Sequence, residues 1–237
     1  EGLASLAYTT NWLRVAEQAS YFDNFAAKSP LDHYWSLAIE EQFYLVWPLI
    51  VVGLFGWRAR VARAGRVRSL DLPLMVAALV GTVASAGLMM ALFTPENSSL
   101  YFRTDTRAQS LFVGVALAAL YDAFGSRVMD QRPRWTVPVG WIAGGALLIV
   151  FVTDLAPSLL YQGGFLVVAL LTATVVGTAM VTPDSTLDRA LALSPLRYAG
   201  RISYGLYLWH WPVIVLLSTD RTGLGHPTLN VVRFAGS

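Results

Sequence analysis

Three short runs of this chain carry side chains able to do acid–base or anion chemistry, and each stands at the edge of an apolar stretch. The first is His33-Tyr34-Trp35-Ser36-Leu37-Ala38-Ile39-Glu40-Glu41-Gln42-Phe43-Tyr44-Leu45-Val46-Trp47-Pro48. A carboxylate near hydrocarbon costs about 2.5 kcal/mol or more, so function is the default reading of Glu40 and Glu41. At about 100° per residue Ser36, Glu40, Phe43, Tyr44 and Trp47 share one helical stripe, with His33 one turn further out and Glu41 to the side. One carboxylate then faces the same way as a histidine, the pairing that orients an imidazole and stabilises its protonated form during acyl transfer. The alternative is that both acids sit near a helix N-terminus and are favoured by its dipole. Two adjacent acids followed by Gln42 and Tyr44 exceed what a cap requires.

The second run, Tyr101-Phe102-Arg103-Thr104-Asp105-Thr106-Arg107-Ala108, joins two guanidinium groups to a carboxylate. Arginine suits a planar anionic or sugar-hydroxyl site; equally, Asp105 and Arg107 could form an interfacial ion pair that fixes a helix start. In the third, Arg201 to Pro212, Ser203, Tyr207 and His210 are spaced i, i+4, i+7 and share a face, flanked by Tyr204 and Trp211. That face could line a polar cavity, or the run could be an aromatic interface belt. Asn97-Ser98-Ser99 fits a glycosylation sequon and is assigned nothing. There is no cysteine, which excludes disulfides, thiolate metal sites and cysteine nucleophiles. His33, His210 and His226 are too scattered for a zinc spacing, so no metal is expected.

The elements that position these runs follow from composition. Mean hydropathy is +0.52, with 55% hydrophobic and 14% charged residues, against roughly 25% charged in soluble domains. The chain is therefore an all-α, polytopic transmembrane helix bundle. Six full spans of the required length, about 20 residues, are expected at 35–57, 72–94, 108–124, 136–153, 160–181 and 202–217, with a seventh beginning near Thr228. The near-continuous apolar runs exclude strands alternating with a period of two. The formal charge of +2 does not imply a nucleic-acid partner, because the arginines cluster between spans. Arg58, Arg60, Arg63, Arg66 and Arg68 fill the first connection, Arg127, Arg132 and Arg134 the third, and Arg189, Arg197 and Arg201 the fifth. By the positive-inside rule these loops are cytoplasmic. Span 35–57 then runs from outside to inside, with His33, Glu40 and Glu41 toward the outer face. Residues 1–34 read as an external loop rather than a separate domain, and the whole, 1–237, as one partial transmembrane domain. The chain begins without Met and ends inside an apolar run, so it is read as a fragment.

Taken together, Trp35 to Pro48, Arg103-Thr104-Asp105-Thr106-Arg107 and Ile202 to Pro212 resemble, in content, order and spacing, the acyltransferase 3 family of bacterial membrane O-acyltransferases. The resemblance implies a bundle of about ten helices, of which this chain would hold the fourth to the ninth and the start of the tenth. It also implies a bacterial cytoplasmic (inner) membrane location, with membrane lipid and a glycan acceptor as partners. The implied reaction moves an acyl group, usually acetyl, from cytoplasmic acyl-CoA (acetyl-CoA) to a hydroxyl of lipopolysaccharide, exopolysaccharide or peptidoglycan. The family's main catalytic histidine lies on a first helix that would precede Glu1. Glu40 and Glu41 would then orient or stabilise charge, with His33 and Trp35 at the outer mouth and Ser36, Gln42 and Tyr44 beside them in the substrate site. Arg103, Asp105 and Arg107 would be glycan-facing or structural, and Tyr204, Tyr207 and His210 would line the cavity. The basic loops could attract CoA phosphates. A different class remains open: a proton-coupled transporter or flippase for a lipid-linked glycan, in which Glu40 or Glu41 couples protons and His210 relays them.

Overall fold

The six apolar stretches expected to span in full are helical over nearly all their length in the computed structural model, which describes residues 1–19, 29–62, 71–95, 97–131, 133–153 and 155–217. Two short helices, α1 (Gly2–Leu6) and α2 (Thr10–Ala16), precede the long α3 (Tyr34–Ala62) and α4 (Asp71–Leu92). A 3-10 turn, Ser98–Phe102, leads into α5 (Thr104–Gln131), followed by α6 (Thr136–Val152). A single turn, α7 (Pro157–Leu159), passes through a π turn, Leu160–Gly164, into α8 (Phe165–Val181). The short α9 (Thr186–Leu191) and the long α10 (Ser194–Leu216) complete the order, with no strand among the described residues. Arg63, Arg66, Arg68, Arg132 and the stretch from Thr228 lie outside the described residues.

Four segments are long and apolar enough to cross a membrane: Tyr34–Gly56, Leu72–Leu92, Thr104–Gln131 and Pro157–Val181. The chain is a multi-pass membrane protein. Thr136–Val152 is apolar but shorter, at 17 residues. The 23-residue α10 is long enough but carries Arg197, Arg201, Ser203 and His210 among its apolar residues.

The closest packing joins α4 to α5. Ala78, Thr82, Ser85, Ala86 and Met89 recur at helical spacing on the buried face of α4, and Ala108, Gln109, Val113 and Ala116 are buried on α5. Small side chains let backbones approach where lipid supplies no hydrophobic drive between helices. The Ser85 hydroxyl donates to the Asp105 carbonyl at 2.5 Å and accepts from the Gln109 N–H at 2.9 Å, bridging two groups of the facing helix. Other hydroxyls satisfy themselves within their own helix, as Thr82 does on Ala78 and Thr182 on Thr178 (2.8 and 2.7 Å). Helix α5 also packs on α8, and α8 on α6.

Two glycines are required by geometry. Gly163 has φ of +115°, in the left-handed region, and its turn sends Tyr161 into the core. There Tyr161 stacks on Phe93 at 4.9 Å and joins Met89 and Leu100. Gly140 of α6 meets α8 and α9, where an added Cβ would lie 2.6 Å from Leu187 and 2.7 Å from Thr178. Gly140→Ala should therefore destabilise the bundle by about 1–3 kcal/mol through overpacking. Thermal unfolding of the full-length protein in detergent checks this, with Gly144→Ala, whose Cβ meets only Val175 at 3.9 Å, as the tolerated control.

Candidate functional site

The residues of the three sequence runs gather at the end of the bundle where α3, α5 and α8 begin and α10 finishes. A turn at residues 30–33, closed by the Asp32 N–H on the Ser29 carbonyl (3.1 Å) and the Tyr34 N–H on the Leu31 carbonyl (3.0 Å), delivers His33 to the start of α3. The Asp32 carboxylate pins this turn by accepting from the Ser29 N–H at 3.1 Å and pairing with Arg14. Helix α10 is tied to the same place across more than 170 residues of sequence. The Tyr207 hydroxyl donates to the His33 carbonyl at 2.6 Å and shares a short hydrogen bond with the Ser36 hydroxyl, and the Trp211 indole donates to the Ser29 carbonyl at 3.0 Å. Since a carbonyl only accepts, the 2.6 Å contact of His210 Nδ1 with the Tyr207 carbonyl fixes the proton on Nδ1.

Around the His33 ring stand Tyr34, Tyr207 and His210, with centroids at 4.8, 5.4 and 5.6 Å. His33 is only 7% exposed, and neither of its ring nitrogens has a hydrogen-bond partner. Burial, and then the neighbouring His210, push its pKa below the ordinary histidine range, outweighing the nearby carbonyls of Leu208 and Pro30. The imidazole is held neutral.

A second centre is a saturated amide hub. Gln42 donates to the Tyr8 carbonyl (2.7 Å) and to Asn11 Oδ1 (3.0 Å), while its own carbonyl accepts from the Thr104 hydroxyl (2.6 Å) and the Trp12 indole (3.3 Å). Asn11, fully buried, donates in turn to the Phe102 carbonyl and to Thr104 Oγ1. This ties α2, α3 and α5 together. Beside it Arg103 grips Asp105 through two bonds, 2.9 and 2.5 Å, with its guanidinium 5.9 Å from the Trp12 ring centroid. The Arg107 guanidinium lies between the rings of Tyr101 (4.7 Å) and Phe165 (4.4 Å). Trp35 packs on Tyr101 and Phe102 at 4.9 and 5.2 Å.

The structure thus brings His33, Ser36, Tyr207 and His210 into one cluster, and Trp35, Gln42, Arg103, Asp105 and Arg107 into another. It does not join either glutamate to His33. Glu40 is exposed, Glu41 half-buried, and neither carboxylate has a hydrogen bond or ion pair among the described residues. Tyr44 is exposed, and the stripe that includes it divides: Phe43 and Trp47 turn inward onto Phe112 of α5 at 5.4 and 5.8 Å. Tyr204 borders a cleft of about 710 Å³ shared with Leu3, Leu6, Leu31, Tyr34 and Leu208. Sequence reading missed Asn11, Trp12 and Thr104. The only signal was an asparagine in a loop facing a glutamine inside a span, each needing partners.

An all-helical, multi-pass membrane protein with a histidine- and tyrosine-lined end is the class this geometry defines. The chain belongs to the acyltransferase 3 family, whose acyltransferase domain matches residues 3–237. It is 38% identical over 224 residues to the peptidoglycan O-acetyltransferase OatA of Listeria monocytogenes, covering 91% of this chain and 34% of that protein. It is 34% identical over 224 residues to the O-acetyltransferase OatA of Staphylococcus aureus, covering 92% of this chain and 35% of that one. The chain thus spans about a third of the length of these relatives. No solved structure matches it.

Two outcomes follow from this geometry. Gln42→Leu leaves the partners in α2 and α5 unsatisfied and should cost about 2–4 kcal/mol of stability in the full-length protein. Adding Asn11→Leu should cost less than the sum of the two single changes, a coupling that a double-mutant cycle reads directly. Because the folded pKa of His33 is lowered, the unfolded chain takes up the proton first as pH falls. Stability should therefore be complete above the ordinary histidine range and decline below about pH 6.5, with a shallower decline in His33→Gln.

Proposed function

We propose that the protein is an O-acetyltransferase of the bacterial cytoplasmic membrane, moving an acetyl group from cytoplasmic acetyl-CoA to a hydroxyl of a glycan outside, with peptidoglycan as the acceptor. In the reaction the acceptor oxygen forms the new ester bond, the thioester C–S bond breaks, the hydroxyl proton passes to a base, and CoA leaves as the thiol. The observation that carries this reading is the convergence of the three motifs on one end of the bundle: Tyr207 on His33 and Ser36, and Thr104 on Gln42. A polar, aromatic-walled mouth suits a sugar. The exposed Arg60, Arg127, Arg134, Arg189 and Arg197 lie at the opposite end, where the positive-inside rule puts the cytoplasm and where they would attract CoA phosphates. The names of the two OatA relatives favour acetyl and peptidoglycan.

In this assignment Glu40 and Glu41 stabilise charge or orient the acceptor at the mouth, and the neutral His33 sits among the substrate-facing residues. Glu40→Gln and Glu41→Gln in the full-length protein should each lower acetyl transfer by about 10² or more. The check is mass spectrometry of base-labile acetyl esters on cell-wall glycan from deletion strains complemented with each variant at equal membrane abundance. Wild-type ester levels with both variants would overturn the roles of the two acids. Esters unchanged by deletion itself, with a lipid-linked precursor accumulating, would replace the enzyme with a transporter.

A further inference from the structure

His33 is the one titratable side chain among the described residues that is both more than nine-tenths buried and unpartnered at every polar side-chain atom. Three aromatic rings stand against it, those of Tyr34, Tyr207 and His210. Buried polar atoms are almost always bonded, so a ring with two vacant nitrogens marks a place where a partner of small size belongs. The carbonyls of Leu208 and Pro30 lie near the ring but can only accept, so they could never serve its lone pair, and the polar side chains around it are already engaged. Tyr207 spends its hydroxyl on the His33 carbonyl and on Ser36, His210 spends its Nδ1–H on the Tyr207 carbonyl, and Asp32 is turned to Arg14 and the Ser29 N–H. Tyr34, edge-on to the His33 ring, also lines the cleft of about 710 Å³ with Leu31 and Leu208, so the ring lies one side chain behind that cleft.

We propose that His33, with His210 beside it, forms a recognition site for an uncharged hydroxyl group of the glycan acceptor. A neutral imidazole offers one N–H donor and one lone-pair acceptor, and a hydroxyl offers one O–H donor and two acceptor lone pairs, so one such group, or two adjacent ones on a sugar ring, satisfies both nitrogens. A carboxylate or phosphate is a poor fit, since a neutral ring in an aromatic box returns too little of an anion's hydration energy. The titratable groups against the ring are Tyr34 of α3 and Tyr207 and His210 of α10. Below the histidine range the ring becomes a double donor and loses its acceptor, a charge that burial and the His210 ring 5.6 Å away both oppose.

The inference rests on the proposed function for its ligand, so its test reads binding and not turnover. Purified full-length protein in lipid nanodiscs is titrated with chitotetraose, an uncharged glycan, without acyl donor. Wild type should bind, and binding should weaken as pH falls from about 7.5 to 5.5. His33→Phe should weaken it about tenfold or more while leaving the unfolding temperature unchanged or raised, because a vacant polar ring is replaced by an apolar one of similar shape. His33→Gln, which keeps a donor and an acceptor, should stay within a few-fold of wild type. Binding that strengthens on acidification would mean that the ligand group is an anion, and unchanged affinity in His33→Phe would mean that the ring is packing only; either overturns the proposal. So would a loss of stability in His33→Phe that His33→Gln restores, since the ring would then be a satisfied structural group. Chitotetraose binding without acetyl transfer would sink the enzymatic reading and leave the hydroxyl site standing, whereas acetyl transfer without chitotetraose binding would do the reverse.

Discussion

Four hydrogen bonds to one carboxamide hold together the end of this bundle where α3 and α5 begin. Gln42 stands inside a segment apolar enough to cross a membrane, where an unmet N–H or C=O costs several kcal/mol. Each of its bonds ends on a different group: the Tyr8 carbonyl, Asn11, Thr104 and Trp12. Much else depends on that constraint. Helix α2 is held against α3, because it is bonded to the helix it precedes. The start of α5 is held through Thr104, which in turn fixes Arg103, Asp105 and the Tyr101–Phe102 wall against Trp35.

A second set of bonds does for α10 what Gln42 does for α5. Helix α10 touches the rest of the described fold chiefly through Tyr207 and Trp211, whose partners, the Ser29 and His33 carbonyls and the Ser36 hydroxyl, lie in or beside one turn. Those carbonyls precede α3 and have local donors in the Asp32 N–H and the Ser36 hydroxyl, and each uses its second lone pair for a donor from α10. The His33–His210 approach follows from this anchoring: once Tyr207 is fixed on the His33 backbone, His210, one turn on, arrives next to the His33 ring. The cluster is thus a geometric consequence of satisfying backbone carbonyls.

The helices were legible in the sequence because apolar runs such as Val76 to Leu92 leave the chain no other way to satisfy its backbone in lipid. The grouping of the three motifs was legible too, through family resemblance. What spacing could not give was the partner of each polar residue. Helical periodicity put His33 on the stripe of Glu40, but His33 belongs to the turn before α3, where about 100° per residue no longer governs direction. Phe43 and Trp47 were assigned to the same stripe, yet their large rings pack on Phe112, and that rotates Glu40 and Tyr44 outward. Asn11 lies in a segment whose sequence reads as ordinary loop; its burial follows from Gln42, 31 residues further along the chain and bonded to it at 3.0 Å, together with Phe102 and Thr104.

The contrast between Gln42 and its two acidic neighbours then acquires meaning. The amide is fully used by the fold, whereas Glu40 and Glu41 are bonded to nothing among the described residues. Glu40 lies six residues past Tyr34, about 9 Å along the helix at 1.5 Å per residue, and side chains lean toward the helix N-terminus, so its carboxylate reaches back toward the mouth instead of deeper into lipid. A structural acid at that depth would be expected to carry a hydrogen-bonded partner, as Asp105 does in Arg103. Carboxylates without a bonded partner, next to an amide wholly consumed by the fold, are the groups to which the proposed function gives the substrate role. Along Glu40-Glu41-Gln42 the satisfied polar group fixes the geometry, and under the proposed function the two without a bonded partner among the described residues are the ones assigned to the substrate.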